Sequence, residues 1–273
     1  MEVIAQSGAL GAEIRGVDLS SPLDEDSARQ IEQAFLAYQV IFFRRQRLDP
    51  RGVLAVATRF GEPADYPFAE GLRECPLVTE LVKAEHETIN FGGEWHSDTT
   101  YLENPPKATV LYAKQVPEAG GDTIFADMYA GYECLSEGMK ALLKPLRGIN
   151  TAGLLPRVKR DGYAAMIGRN VDKLNMSAEH PVVRTHDDTG RCSLYINETH
   201  TERFSGMTRE ESLPLITLLT SQAVEPKRCF RLRWQPGTLT VWDNRCTQHY
   251  AINDYHGHRR VMYRVIVQGE PPR

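Results

Sequence analysis

The sequence predicts a mainly β protein, a double-sheet jelly roll with helices packed outside it. Three observations carry that expectation. Short period-two segments dominate from residue 77 onward. Helical periodicity is confined to a few windows, two of them near the front. No internal repeat or low-complexity tract divides the chain, so 1–273 reads as one domain.

Residues 12–19 alternate polar and apolar side chains and read as a strand. Residues 24–38 place Ala28, Ile31, Phe35 and Tyr38 at helical spacing behind an acidic first turn. Val40-Ile41-Phe42-Phe43 is a buried strand. Asp49-Pro50 is a helix start and Gly61 a stop, so the front of the chain is expected to cover a sheet. Residues 107–116 then read as a strand, 117–121 as a turn and 122–126 as the return strand. Helical patches follow within 128–146. Residues 154–177 mix Arg, Lys, Gly and Met without a period and read as a lid. Residues 182–186 and 193–197 flank Asp187-Asp188-Thr189-Gly190, a hairpin signal. Thr208 and Glu211 form a capping box for a helix through Leu219. Residues 230–234 and 239–242 around Pro236-Gly237 read as another hairpin, and 259–267 as the last strand.

At 273 residues the chain can bury one large core. Its net charge of −4 argues against a nucleic-acid surface built on bulk charge. Five scattered cysteines, never in Cys-x-x-Cys spacing, suit reduced thiols. Neither a signal-like N-terminus nor an apolar run of bilayer length is visible. The expectation is a soluble cytoplasmic homo-oligomer with neither nucleic acid nor membrane as a partner.

His96 and Asp98, at i and i+2 of an extended strand, project to one side. With His249 from a distant strand they make a 2-His-1-carboxylate set, which covers one face of a metal ion and leaves positions open. His-x-Asp alone is a weak signal, and a lone histidine is more often a hydrogen-bonded core or surface residue. His86, His180, His186, His256 and His258 keep that plain reading. Zinc competes for the same three ligands. In the last strand Arg260 and Arg264 share a face, their Cα atoms about 13 Å apart at ~3.3 Å per residue. Interior cations are costly unwatched by an anion. They imply two bound anions, or one anion and one internal carboxylate; surface salt bridges are the plainer alternative.

Several blocks now combine: Gly16-Val17-Asp18-Leu19, Phe60-Gly61-Glu62, Trp95-His96-Ser97-Asp98, Gly120-Gly121-Asp122-Thr123, His180-Pro181-Val182-Val183-Arg184-Thr185-His186, Trp242-Asp243-Asn244-Arg245 and Gln248-His249-Tyr250-Ala251. Through them the chain resembles the taurine dioxygenase family of Fe(II)- and 2-oxoglutarate-dependent oxygenases, which also holds alkylsulfatase and phenoxyalkanoate dioxygenases. The resemblance implies a cupin-like double-stranded β-helix. It implies that His96, Asp98 and His249 ligate Fe(II), and that Thr123 and Arg260 hold the distal carboxylate of 2-oxoglutarate. It further implies that Arg264 meets the substrate's anionic group, with Tyr66, His200 and Asn90 in the substrate pocket. The implied reaction consumes O2 and 2-oxoglutarate, releases succinate and CO2, and hydroxylates an alkylsulfonate, alkyl sulfate or aryloxyalkanoate. Pro63 stands where the family carries a histidine, Gly92 where it carries an asparagine, and His200 where it carries an aromatic. The amine-recognition side therefore departs from taurine dioxygenase proper. Taurine dioxygenase proper, a zinc hydrolase and a non-catalytic cupin-like binder are the other readings; Thr123 and Arg260 count against the binder.

Overall fold

Val40-Ile41-Phe42-Phe43 shows how the interior is divided. Successive strand residues face opposite ways, so a fully apolar run needs apolar neighbours on both sides. All four residues are buried. Ile41 and Phe43 pack with Ile31, Phe35, Val53 and Val56 of two covering helices. Val40 and Phe42 pack the other way, with Phe125, Trp242 and Met262.

The computed structural model describes residues 1–66, 68–152 and 176–273. In chain order the front carries β1 (Glu2–Ala5), β2 (Ala12–Arg15), α1 (Glu25–Tyr38), β3 (Val40–Phe43), α2 (Pro50–Thr58), β4 (Pro63–Ala64) and β5 (Thr79–Lys83). The middle carries β6 (Ala108–Gln115), β7 (Thr123–Asp127), α3 (Met128–Glu133), α4 (Glu137–Leu143), β8 (Arg147–Thr151), β9 (Ser177–Pro181), β10 (Val183–Thr185), β11 (Cys192–Leu194) and β12 (Thr201–Phe204). The end carries α5 (Arg209–Ala223), β13 (Cys229–Leu232), β14 (Leu239–Asp243), β15 (Thr247–Ala251) and β16 (Arg260–Val267).

Among the described residues the major sheet runs β1-β2-β3-β14-β6-β16-β4, with β5 also paired to β16. Facing it is the minor sheet β13-β7-β15, and β12-β8-β9 forms a third. The β2–β3 pair is parallel, so the front strands belong to the sheet itself and only α1 and α2 cover it. Helix starts follow the expected chemistry. Asp24 accepts from the Ser27 N–H, Asp49 from the Gly52 N–H with Pro50 next, and Thr208 and Glu211 close a reciprocal box. The last helix runs on to Ala223, past the expected end, because Ile216, Leu219 and Ala223 continue its buried stripe.

The hairpin at 187–190 forms, pairing Val183 with Leu194. The other two expected hairpins do not. After the turn at 117–121 the chain leaves β6 in the major sheet and enters β7 in the minor one. After Pro236-Gly237 it makes the opposite crossing, from β13 beside β7 to β14 beside β3 and β6. The turns reverse the chain, but period-two patterning is the same whichever sheet receives the strand. The lid expected at 154–177 falls outside the described residues except for Met176 and Ser177, where Ser177 opens β9.

Phe125 is fully buried between the sheets, against Phe230, Trp242 and the His249 ring. Phe125→Ala is expected to lower the unfolding free energy by about 3–5 kcal/mol, read from urea denaturation. A loss below about 1 kcal/mol would mean that the inter-sheet space collapses around the deletion.

Candidate active site

His96 and His249 exchange both backbone hydrogen bonds, His96 N to His249 O at 3.1 Å and His249 N to His96 O at 2.8 Å. This isolated bridge differs from the continuous strand expected through 96–98. Asp98 lies in the turn that follows, next to Thr99 at φ +45°, where a β-branched residue is an outlier. His249 sits in the middle of β15 and not beyond a strand end. The Ser97 hydroxyl donates to Thr247 O at 2.7 Å, which anchors the turn.

The pairing brings the two imidazole rings to 4.2 Å. Asp98 Oδ1 lies 3.8 Å from His96 Nε2 and 3.9 Å from His249 Nε2, too far for hydrogen bonds. An ion about 2.0–2.2 Å from each ligand atom tolerates separations up to roughly 4 Å. His96 Nδ1–H donates to Glu94 O at 2.7 Å, so Nε2 offers its lone pair. Burial lowers the His96 pKa to about 4, with Asp98 opposing. Burial, then the neighbouring His96, holds His249 well below the ordinary histidine value. Burial pushes the Asp98 carboxyl up, but Arg264 and the two imidazoles outweigh it and hold the acid far below its usual range. Two neutral imidazoles and an ionised carboxylate result, a donor set that fits Fe(II).

Residues outside this set orient it. Asn244 Nδ2 donates to Thr109 Oγ1 at 2.9 Å, and Thr109 donates to Asp98 Oδ2 at 2.6 Å. Asn244 Oδ1 in turn accepts from Trp242 Nε1 at 3.0 Å. Gly92, at φ +78°, touches the first histidine: a Cβ there would meet His96 Cε1 at 3.2 Å. Backbone geometry and the His96 ring thus both favour glycine at this departure from the family pattern.

His96, Asp98 and His249 line a cavity shared with Thr123, Arg260 and Arg264. Arg264 Nη2 lies 2.7 Å from Asp98 Oδ1, though not aligned as a hydrogen bond. Arg264 therefore meets the internal carboxylate that the strand pattern allowed for. Arg260 does not: its buried Nε and Nη2 have no hydrogen-bond partner among the described residues. The nearby Asp122 pairs with Arg231 at 2.7 Å. Thr123 Oγ1 accepts from Trp234 Nε1 at 2.9 Å.

The expected pocket residues divide. The Tyr66 ring faces the Arg264 guanidinium at 4.5 Å. Asn90 donates to Ala251 O at 2.8 Å, tying its loop to β15. His200 stacks edge-on against His96 and Tyr101. None of Tyr66, Asn90 and His200 is among the residues lining the cavity; Tyr66 reaches it only through Arg264. Pro63 pairs with Val267 in β4, also away from that lining. Sequence reasoning missed Lys83, a buried cation on the cavity wall. It lies in the strand-patterned stretch after residue 77, but its strand partner was not visible there. His180 and His186 keep their plain reading. His180 Nε2 donates to Leu102 O, and His186 Nε2 to Asp243 at 2.9 Å.

His186, Asp243 and Cys246 are a second buried group of potential ligands. Their atoms are already used. His186 Nδ1 accepts from the Asp188 and Thr189 N–H groups, and Asp243 takes Arg245 at 2.8 and 2.7 Å. Burial raises the Cys246 thiol pKa, so it stays protonated.

The family model for taurine catabolism dioxygenase TauD, TfdA family matches residues 3–266. An alpha-ketoglutarate-dependent sulfate ester dioxygenase of Pseudomonas putida is 33% identical, over 100% of this chain and 91% of its own length. An alkylsulfatase of Acinetobacter baylyi is 32% identical, over 97% and 84%. The crystal structure of a taurine dioxygenase from Burkholderia xenovorans superposes with a TM-score of 0.85 at 32% identity, covering 99% of this chain and 90% of that one.

Burial, with His96 beside it, lowers the His200 pKa to about 3, against about 6.5 in an unfolded chain. The unfolded chain takes up this proton first. The stability contributed by neutral His200 is therefore complete above the unfolded value and lost as pH falls towards the folded one. His96 and His249 act in the same direction. Between pH 7 and pH 5, metal-free His200→Phe is expected to lose about 2 kcal/mol less unfolding free energy than the wild type, by urea denaturation. An equal loss in both proteins would mean that His200 is protonated in the fold.

Proposed function

This chain belongs to the taurine catabolism dioxygenase TauD, TfdA family, and from that premise we propose that it hydroxylates a compact organic anion at a centre ligated by His96, Asp98 and His249. It is an Fe(II)- and 2-oxoglutarate-dependent dioxygenase with a cupin-like β fold. When bound, Fe(II) with 2-oxoglutarate and O2 supplies the oxidising chemistry, with release of succinate and CO2. The observation that carries the substrate reading is two buried arginines on one strand face beside three converging ligand atoms.

Each residue's role follows from its partners. Arg260 has unpartnered N–H groups to offer the distal carboxylate of 2-oxoglutarate, and planar guanidinium suits a carboxylate. Thr123 already accepts from Trp234, so its own proton is left to donate to the same anion. Arg264 steadies Asp98 through one nitrogen and keeps a buried Nε without a hydrogen bond, which suits a substrate sulfonate, sulfate or carboxylate. The Tyr66 ring holds that guanidinium flat. Leu81, Phe91, Leu111 and Trp242 supply apolar wall that excludes water. Pro63 and Gly92 offer no side-chain hydrogen bond to a substrate amine. Relatives named for sulfate esters, sulfonates and aryloxyalkanoates support simple alkylsulfonates, alkyl sulfates or aryloxyalkanoates ahead of taurine.

The whole chain is read as one catalytic domain, in keeping with a family match that runs almost end to end. Among the described residues no helix is long and apolar enough to cross a membrane. Five unpaired cysteines suit a reducing cytoplasm. Exposed Leu213 and Leu218 on α5 offer apolar surface for a second copy; sedimentation as a monomer would remove that part of the reading.

The test is a panel of acids against their neutral amides, scored by succinate release. His96→Ala, Asp98→Ala and His249→Ala are each expected to abolish turnover and weaken Fe(II) binding. Arg264→Ala is expected to lose on the order of 2–5 kcal/mol more in kcat/KM for the acids than for their amides, on top of a loss common to both from the Asp98 contact. Neutral amides turning over as well as the acids would overturn the anionic substrate. Full activity in any ligand variant would overturn the metal assignment.

A further inference from the structure

Lys83 and Arg260 stand directly opposite each other where β5 pairs with β16. Opposed residues of a strand pair share a face, and like charges there repel. Both side chains are buried, 3% and 9% exposed, and both line the cavity. Among the described residues Lys83 Nζ has no hydrogen-bond partner, and Arg260 leaves Nε and Nη2 without one. The carboxylates near them are engaged: Asp122 by Arg231, and Glu87 by the Ala84 N–H. Both cations face the Tyr255 ring, Lys83 Nζ at 4.5 Å from its centroid and Arg260 Cζ at 6.0 Å. Such contacts recover only part of what is lost when an ammonium leaves water. Two like charges on one wall, with no ion pair of their own among the described residues, favour an anion from outside.

The fold builds this corner deliberately. Gly121, at φ +70°, lies against Tyr255, where a Cβ would meet the ring at 3.1 Å. Its N–H donates to Asp254 Oδ1 at 2.7 Å. The glycine turn before Thr123 therefore seats the ring that the two cations share. Thr123, Trp234 and Arg260 belong to the same corner, the Arg260 guanidinium lying 5.7 Å from the Trp234 ring. Arg264 is a full turn of pleats further along β16, beside Asp98.

We infer that Lys83 is a second cation of the cosubstrate site, and that its ammonium and the Arg260 guanidinium together hold the distal carboxylate of 2-oxoglutarate while Thr123 donates a third contact. A carboxylate offers two oxygens and about four acceptor positions, enough for all three donors. The inference rests on the reading that this cavity takes 2-oxoglutarate. It makes Lys83 a determinant of cosubstrate specificity: a 2-oxo acid without the distal carboxylate would leave two opposed cations unneutralised.

The experiment is an equilibrium titration of the Fe(II)-loaded enzyme without oxygen, followed by the fluorescence of cavity residues Trp234 and Trp242. The ligands are 2-oxoglutarate and 2-oxopentanoate, which carries a methyl group in place of the distal carboxylate. Lys83→Met is expected to weaken 2-oxoglutarate binding at least about tenfold and to leave 2-oxopentanoate within about twofold, while Lys83→Arg keeps most of the affinity. In turnover the KM for 2-oxoglutarate should rise while that for the organic substrate holds. Unchanged 2-oxoglutarate binding in Lys83→Met, alongside its loss in Arg260→Met, would overturn the role of Lys83 and leave the cosubstrate site standing. Equal weakening of both ligands would also overturn it, by making Lys83 structural. If Lys83→Met does not fold, Lys83→Gln carries the same comparison. A wild type that binds no 2-oxoglutarate would instead overturn the cosubstrate reading itself.

Discussion

His96 N–H points to His249 O, and His249 N–H to His96 O. Through those two bonds a loop that belongs to neither facing sheet is clamped to the edge strand β15 of the minor one. Ring spacing, ring orientation and the direction of the following turn all depend on it. The same clamp fixes Asp98, because the turn begins two residues after the bridge and the intervening Ser97 is held by Thr247 O. A candidate metal site assembled this way has little freedom to adjust, which suits a centre that must keep open positions open.

The cavity beside it is held at a cost in buried charge. Arg260, Arg264 and Lys83 are all withdrawn from water on the same wall of β5 and β16. Among the described residues only Arg264 of the three has a carboxylate within ion-pair distance, and that carboxylate is also a candidate metal ligand. Neutralisation of the other two is left to small molecules. Binding and catalysis are thereby linked: the groups that make the empty site unfavourable are those that make anionic ligands specific.

The segment from Trp242 to His249 does more than deliver one imidazole. Asn244 steers Thr109, and Thr109 steers Asp98. Asp243 locks Arg245 and His186 together, and Arg245 also reaches Asp188 at 2.8 Å. The loop between β14 and β15 is thus stiffened from both sides before β15 carries His249 into the site. A motif that looks like a ligand signature is largely the frame that holds the ligand.

Much of this was legible along the chain. Apolar alternation located most strands, capping residues located the helix starts, and the spacing of Arg260 and Arg264 pointed to internal anions, with surface salt bridges as the alternative. The motif blocks named the family and its three candidate ligands, because those residues are close in sequence or chemically distinctive. What the chain alone could not supply is which strand lies beside which. Period two says that Thr123–Asp127 and Leu239–Asp243 are strands, but it reads the same in either sheet, so the two crossings looked like hairpins. Lys83 was invisible as a functional residue for the same reason: its meaning arises only from standing opposite Arg260, 177 positions away in a register set by the packing of whole sheets. Local physics determines what each segment can be; only the closed tertiary structure decides which charges must share a face.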